Sequence, residues 1–243
     1  MDATSPVTTR WVPLATPAGT MDAYLALPPA GRGPGLLLLQ EIFGVNAHIR
    51  AVAEQYALAG FTVLAPDLFW RQQAHVELGY VGEDRERALA LMRALKPDEV
   101  AADLQASVAA LRALPECGPR VGAIGYCMGG RLAFVAAAQG GADTGVDAAV
   151  AYYGGGIHTQ LALAPQIRCP LQFHHAEQDA SIPPEAVAAV RQAMAASPAA
   201  AQVEFHDYAG TQHGFNCWAR SAHHPGAAAL ALGRSLAFLS RLF

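Results

Sequence analysis

Cys127 stands in the segment Gly125-Tyr126-Cys127-Met128-Gly129, a G-x-C-x-G pattern between a strand-like apolar run and a helix-like run. A nucleophile on a tight strand-to-helix turn needs glycine two residues before and after it, because the two backbones nearly touch there. At a helix N-terminus the helix dipole favours a thiolate, and backbone amides can bind an oxyanion. No G-x-S-x-G occurs in the chain. The pattern predicts a cysteine nucleophile; the structural alternative is a buried, inert cysteine beside a turn.

An acid and a histidine follow this cysteine in the order that such a nucleophile turn requires. Asp179 comes after a predicted strand at 170–174, and His213 comes after a predicted strand at 203–208. The carboxylate would fix the imidazole tautomer, while the other ring nitrogen takes the thiol proton. Alternatively, Asp179 is a turn or helix-capping residue and His213 a loop residue without a catalytic task. Glu177 is the reserve acid.

The elements that must position these residues alternate along the chain, since apolar runs bounded by Gly and Pro are followed by longer Ala-rich segments. This rhythm predicts an α/β fold with a mainly parallel central sheet, helices on both faces and a single domain over residues 1–243. A further helical stretch is predicted between residues 68 and 97, over the carboxyl edge of the sheet, where ligands bind in such folds. The predicted strands are 21–27, 35–40, 61–65, 120–126, 148–153, 170–174 and 203–208. The predicted helices are 46–59, with Asn46 as cap, 83–95, 97–114, 128–139, 184–196 and 227–242.

Composition narrows the classes of function. The chain has 243 residues, of which 53% are hydrophobic and 15% charged, and its formal net charge is −4. These values indicate a globular protein without the positive field that nucleic acid requires. The longest aliphatic run, 36–39, is far too short for a membrane span, and residues 1–11 have neither a basic start nor an apolar core. We expect a cytoplasmic protein, a monomer or weak dimer, with no nucleic-acid or membrane partner.

The cysteines and histidines do not form a metal-binding pattern. The four cysteines are irregularly spaced and include no CxxC pair, so they are read as free thiols. His174 and His175 are adjacent on a predicted strand and face opposite sides, while His223 and His224 have no partner motif. We therefore expect neither a metal nor another cofactor.

A second motif supports a family resemblance. The segment Gln40-Glu41-Ile42-Phe43-Gly44-Val45-Asn46 follows a core strand, and it accompanies the cysteine turn, Asp179 and His213. Together with Pro66-Asp67-Leu68-Phe69, Arg71-Gln72 and Tyr152-Tyr153-Gly154, these motifs resemble the dienelactone hydrolase family of carboxymethylenebutenolidases over residues 21–242. The resemblance implies a cofactor-free α/β-hydrolase.

The resemblance also implies roles for residues outside the triad. Glu41 matches a carboxylate that contacts the resting nucleophile and helps to generate the thiolate, which would make it a fourth catalytic residue. The alternative for Glu41 is a carboxylate that bonds backbone amides near the following helix. The backbone amides of Ile42 and Met128 would form the oxyanion hole. Tyr126 and Phe43 are expected to contact the substrate.

The family holds substrate carboxylates with two arginines. Arg85 is the better match to the first, by its register to Asp103, and Arg87 is the alternate; the alternative for both is a solvated charged helix face. The second arginine is expected four residues after His213, where this chain has Cys217, although Arg220 is nearby. A neutral cysteine cannot replace a bidentate arginine.

These residues predict hydrolysis of a small lactone or ester through a thioester acyl-enzyme. Two alternatives remain open. The first is a general carboxylesterase that acts on neutral esters, which the missing arginine favours. The second is a protein of the same fold without catalysis, which binds a ligand or in which Cys127 is oxidised reversibly.

Overall fold

The structure is a computed structural model that describes residues 6–141 and 144–243. It divides into two compact units, of which the first ends at Gly122 and includes Phe243, and the second spans Ala123–Leu242. The single domain over residues 1–243 therefore stays a prediction. Residues 1–5 lie outside the described part of the chain. They belong to the segment 1–11, which is not expected to be a signal peptide.

The described residues form a mixed α/β fold. The strands are β1 (Thr8–Thr16), β2 (Gly19–Leu27), β3 (Gly33–Leu39), β4 (Thr62–Pro66), β5 (Cys117–Tyr126), β6 (Ala148–Tyr152), β7 (Leu171–Ala176) and β8 (Val203–Tyr208). The helices are α1 (Ala47–Leu58), α2 (Gly82–Ala94), α3 (Pro97–Ala113), α4 (Met128–Ala138), α5 (Pro184–Ala195) and α6 (Pro225–Leu239). Short 3₁₀ turns cover Ile157–Thr159, Leu161–Gln166, Ala200–Gln202 and Ser240–Leu242. Among the described residues, no helix is both long and apolar enough to cross a membrane.

In the first unit the strand order is β1-β2-β4-β3-β5. β3 and β4 are parallel, and the leucines at positions 36–39 of β3 are fully buried. β1 is antiparallel to β2, and β2 is antiparallel to β4, so this part of the sheet is mixed rather than parallel. β1 was not predicted because most of its residues are partly or fully exposed and it contains Pro13. Proline is tolerated in an edge strand, where one side needs no ladder hydrogen bond.

In the second unit the strand order is β5-β6-β7-β8, with the last three strands parallel. Every residue of β6 and β7 is buried, as expected for parallel strands covered on both sides. Because parallel strands end at the same edge of a sheet, the loops that follow β7 and β8 emerge side by side. This arrangement brings the segments that contain Asp179 and His213 together.

The helix predictions hold, and the helix ends differ from the predicted ones by at most three residues. The cap prediction is confirmed, since the Asn46 side chain accepts a hydrogen bond from the Ile49 amide at 3.2 Å. The stretch predicted to be helical between residues 68 and 97 is helical only in α2, and residues 68–81 form turns and irregular structure. Several backbone and side-chain hydrogen bonds that tie these turns to neighbouring loops, such as Leu78 to Phe43 at 3.0 Å, take the place of helical ones.

Candidate active site

Cys127 occupies a strained turn between β5 and α4. Its backbone has φ 56° and ψ −115°, in the left-handed half of the map that residues with a side chain rarely adopt. A Cβ atom on Gly125 would overlap the Gly129 carbonyl, and one on Gly130 would overlap the Tyr152 carbonyl. The turn therefore requires glycine at position 125, as the G-x-C-x-G pattern predicts, and α4 requires glycine at position 130, which lies outside that pattern.

Asp179 and His213 are joined directly. His213 Nδ1 lies 2.7 Å from Asp179 Oδ2, and the other carboxylate oxygen of Asp179 accepts a hydrogen bond from the Ser181 amide at 2.8 Å. The Asp179 side chain is only 1% exposed, so little water competes for this carboxylate. An ionised carboxylate only accepts hydrogen bonds, so Nδ1 of His213 carries the proton and Nε2 faces away from Asp179.

His213 also forms a hydrogen bond with Cys127, which completes the order Cys127, His213, Asp179. Burial lowers the pKa of His213, but the charge of a Cys127 thiolate and the hydrogen bonds to Asp179 and Cys127 outweigh burial and raise this pKa to about 10. When Cys127 is a thiolate, the imidazolium is therefore the favoured form of His213 at neutral pH. This is the protonation state that pairs with a thiolate nucleophile.

Glu177, the reserve acid, is engaged elsewhere. Its carboxylate accepts a hydrogen bond from the Gly210 amide at 2.7 Å, and the side chain is exposed. Asp179, rather than Glu177, is the acid bound to His213.

Glu41, Ile42 and Phe43 lie in the first unit, on the loop between β3 and α1. All three are at most 7% exposed. The Gln40 side chain bridges this loop to the loop after β4, because it donates to the Glu41 carbonyl and accepts from the Leu68 amide, each at 3.3 Å. The Phe43 ring packs edge-on against Tyr80 with centroids 4.6 Å apart. The roles of these residues in catalysis and binding stay predictions.

Asn46 and Gly44 fix the end of the same loop. The Asn46 amide group donates to the Leu78 carbonyl at 3.2 Å and to the Tyr80 hydroxyl at 3.1 Å. Gly44 has φ 81°, and a Cβ atom there would overlap the Val76 carbonyl. The loop that contains Ile42 is thus held closely against the turn region that precedes α2.

Tyr126 is 1% exposed, and its ring packs at 4.6 Å from Tyr152 and at 6.2 Å from Tyr153. Tyr153 has φ 34°, and the centroid of its ring lies 5.1 Å from that of the His213 ring. No role for Tyr153 is predicted from the sequence. The only signal was the Tyr152-Tyr153-Gly154 motif directly after β6.

Neither Arg85, which is predicted to hold a substrate carboxylate, nor its alternate Arg87 is the arginine that binds Asp103. Arg85 lies exposed on α2, and Arg87 forms a hydrogen bond with Gln73. Asp103, which set the register for Arg85, is bound by the guanidinium of Arg71 and accepts from the Trp70 indole at 3.0 Å. The register to Asp103 is therefore no evidence for Arg85, since Arg71 is the arginine that contacts this carboxylate.

Cys217 is fully buried in the loop after His213, and its amide donates to the Gly214 carbonyl at 2.9 Å. Arg220 lies next to Gly214 in this loop: a Cβ atom on Gly214 would lie 2.5 Å from Arg220 Nη1. A cationic group therefore lies beside the residue that follows His213, although position 217 is neutral.

The remaining histidines of interest have structural contacts. His174 Nδ1 lies 2.7 Å from the Tyr208 hydroxyl, and the His175 ring stacks at 5.9 Å from Phe173 and 6.1 Å from Phe205. His224 caps α6 by accepting from the Ala227 amide at 3.2 Å. His174 and His175 face opposite sides of β7, as predicted, whereas the cap formed by His224 was not predicted.

Comparison with known proteins identifies the family. The model of the dienelactone hydrolase family matches residues 21–243. A carboxymethylenebutenolidase of Pseudomonas sp. strain P51 is 38% identical over 225 residues, which cover 92% of this chain and 91% of that protein. A carboxymethylenebutenolidase of Pseudomonas putida is 36% identical over 224 residues, with 92% of each chain covered. The structure of a suggested dienelactone hydrolase of Klebsiella pneumoniae superposes with a TM-score of 0.83 at 27% identity, covering 96% of this chain and 98% of that one.

Proposed function

Because this chain belongs to the dienelactone hydrolase family and has the family's α/β-hydrolase fold, we propose that it hydrolyses a small lactone or ester through a thioester on Cys127. The observation that carries this proposal is the hydrogen-bonded series Cys127, His213, Asp179 at a strained strand-to-helix turn. The general activity, that of a hydrolase resembling dienelactone hydrolase, follows from the family and its relatives.

Acylation begins with the Cys127 thiolate beside protonated His213. The sulfur attacks the carbonyl carbon, and the carbonyl oxygen becomes an oxyanion that the amides of Met128 and Ile42 stabilise. Met128 is the first residue of α4, where amides have no partner within the helix. When the C–O bond of the ester breaks, His213 donates its proton to the leaving alkoxide, which leaves a Cys127 thioester and neutral His213.

Deacylation uses the same histidine as a base. Neutral His213 takes a proton from water while the water oxygen attacks the thioester carbonyl, and collapse of the intermediate releases the acid and the Cys127 thiolate. Asp179 holds the imidazole in the required tautomer through both steps. The alcohol of an opened lactone stays attached to the acyl group, so recyclisation competes with hydrolysis. Rapid deacylation is therefore necessary for net turnover of a lactone.

The family resemblance implies that the Glu41 carboxylate contacts the resting nucleophile and helps to generate the thiolate when substrate arrives. Its nearly complete burial supports a specific role, because a carboxylate is costly to remove from water. The local alternative, a carboxylate that only bonds backbone amides near α1, makes a different prediction: Glu41→Gln would then change stability but not the rate of Cys127 acylation.

The substrate class depends on the arginines. Arg85 remains the proposed grip for a substrate carboxylate, with Arg220 as the second cation near His213. Cys217 at the position of the second arginine favours neutral esters instead, which makes a general carboxylesterase the second candidate function. Arg85→Gln is expected to raise KM for an anionic lactone about tenfold, the value of one charge-assisted hydrogen bond, and to leave a neutral ester unchanged. Arg93→Gln, at the last turn of the same helix, is the matched control.

The test is hydrolysis of cis- and trans-dienelactone, a neutral lactone and a short p-nitrophenyl ester under reducing conditions. We expect turnover that is lost in Cys127→Ala and retained in the control Cys169→Ala. A preference for the anionic lactones supports the family substrate, whereas turnover of neutral compounds alone supports the carboxylesterase. If no compound is hydrolysed, or if Cys127→Ala retains the activity of the parent, the catalytic proposal is wrong and a ligand-binding or redox-responsive protein becomes the better description.

A further inference from the structure

A buried chain of polar side chains lies in the second unit and is not used in the proposed mechanism. Its members come from three parallel strands and α6, and each is at most 4% exposed. They are Tyr152, Gln172, His174, Tyr208 and Ser235. Buried polar groups are costly unless all of them are paired, so such a network indicates a specific demand on geometry.

The proton positions in this network of buried side chains can be assigned by starting from Glu204. Glu204 accepts a hydrogen bond from Gln172 Nε2 at 2.8 Å, which turns Gln172 Oε1 towards His174 Nε2, also at 2.8 Å. An amide oxygen only accepts, so His174 carries its proton on Nε2. His174 Nδ1 then accepts from the Tyr208 hydroxyl at 2.7 Å. The Glu204 carboxylate and the Arg234 carbonyl, which both accept from Gln172 Nε2, therefore set the tautomer of a fully buried histidine.

Ser235 connects this chain to Tyr152. Its hydroxyl oxygen lies 3.0 Å from His174 Nε2 and 2.7 Å from the Tyr152 hydroxyl. With both of those groups donating, the Ser235 proton is directed to Gln172 Oε1 at 3.4 Å. The Tyr152 ring also stacks on the His174 ring, with centroids 4.2 Å apart. Tyr152 is thus held through both its hydroxyl and its ring.

The backbone of the same residues supports the active site. The Tyr152 carbonyl accepts a hydrogen bond from the Cys127 amide at 3.0 Å, and the Tyr153 amide donates to the His174 carbonyl at 2.8 Å. The Tyr153 ring in turn packs against the His213 ring, with centroids 5.1 Å apart. The residues that end β6 therefore contact both the backbone of the nucleophile and the ring of the base.

We propose that Tyr152, Ser235 and His174 are positioning residues: their hydrogen-bonded chain fixes the carboxyl end of β6, which holds Cys127 in its left-handed conformation in register with His213. This inference rests on the proposed function, because it assigns a purpose to the geometry of Cys127. The competing explanation is a network that only attaches α6 to the sheet. That explanation predicts a loss of stability without a specific effect on Cys127.

The test compares Tyr152→Phe, Ser235→Ala and the double variant with Ser107→Ala. Tyr152→Phe keeps the aromatic stack and removes one hydroxyl. Ser107 is the matched control, because it is a fully buried helix serine whose hydroxyl donates to a backbone carbonyl, that of Asp103 at 2.7 Å. Two rates are measured on folded protein: kcat for a p-nitrophenyl ester, and alkylation of Cys127 by iodoacetamide, followed by mass spectrometry of its peptide.

We expect both rates to fall about tenfold in each single variant, with KM nearly unchanged, since small displacements of a reacting group are costly. The double variant should be no slower than the worse single variant, because both changes break the same hydrogen bond. Rates equal to those of Ser107→Ala would overturn the inference. If Ser235→Ala does not fold, Tyr152→Phe alone decides. The alkylation rate does not depend on turnover, so it tests the positioning of Cys127 separately from the proposed function. If activity proves independent of Cys127, the proposed function is refuted, and the alkylation rate still decides whether these residues position Cys127.

Discussion

His213 and His175 lie in the same unit of the protein and both are largely removed from water, yet their pKa values shift in opposite directions. Burial lowers the pKa of His175 to about 4, and the carboxylate of Asp207, 3.7 Å away and 59% exposed, does little to oppose it. At His213 the directly bonded, buried Asp179 and the adjacent Cys127 overcome the same effect and raise the pKa to about 10. A desolvated partner in direct contact, rather than the number of nearby charges, separates the proposed catalytic histidine from the structural one.

The largest expected effect comes from removing the partner of His213. Asp179→Asn should lower kcat/KM for the preferred ester or lactone by on the order of 10³- to 10⁴-fold, because the amide no longer fixes the tautomer or stabilises the imidazolium. Steady-state hydrolysis measures the effect, with Glu177→Gln as the matched control. A similar loss of kcat/KM in Glu177→Gln, or a loss of less than about tenfold in Asp179→Asn, would show that Asp179 is not the catalytic acid.

Removing Cys127 should narrow the contrast between the two histidines. In Cys127→Ala the thiolate charge and the Cys127 hydrogen bond, which help to raise the pKa of His213, are absent, so this pKa should fall while that of His175 stays low. Titration of the ring protons by NMR follows both residues in one experiment. An unchanged pKa of His213 would contradict the proposed pairing with the thiol.

The same pairing has a consequence for stability at alkaline pH. Because the pKa of His213 is raised in the folded state, its contribution to the free energy of unfolding is complete below about pH 6.5 and is lost as pH rises towards 10. The wild type should therefore lose more stability between these values than Cys127→Ala does. Urea unfolding at several pH values makes the comparison.

His175 gives the smaller effect, in the opposite direction. Its pKa is lowered in the folded state, so the unfolded chain binds more protons between pH 6.5 and 4, and stability falls as the pH falls through this window. The loss amounts to about 3 kcal/mol at most. His175→Phe, which keeps an aromatic ring between Phe173 and Phe205, should flatten the pH dependence in urea unfolding, whereas Asp207→Asn should hardly alter it. An equally steep acid dependence in His175→Phe would show that other groups control it, His174 foremost.

The sequence predicted most of what depends on neighbouring residues. Cys127, its flanking glycines and the Asn46 cap are specified within a few positions, and Asp179 and His213 follow from the rule that parallel strands end at one edge. Strand β1 was missed, since an exposed edge strand with a proline lacks the apolar alternation that signals a strand. Arg71 and Asp103, which are in contact, are 32 positions apart in the sequence. Ser235 is 61 positions from His174 and 83 positions from Tyr152, the two residues that it contacts. No local sequence pattern encodes contacts over such separations.

The most direct test of Cys127 as the nucleophile is to trap the acyl-enzyme. The wild type is mixed with a short p-nitrophenyl ester, quenched in acid within the first turnover, digested and mapped by mass spectrometry. We predict one acyl group on the peptide that contains Cys127, removed by neutral hydroxylamine as expected of a thioester. Turnover without an adduct at Cys127, or with an adduct on another residue, would contradict the account.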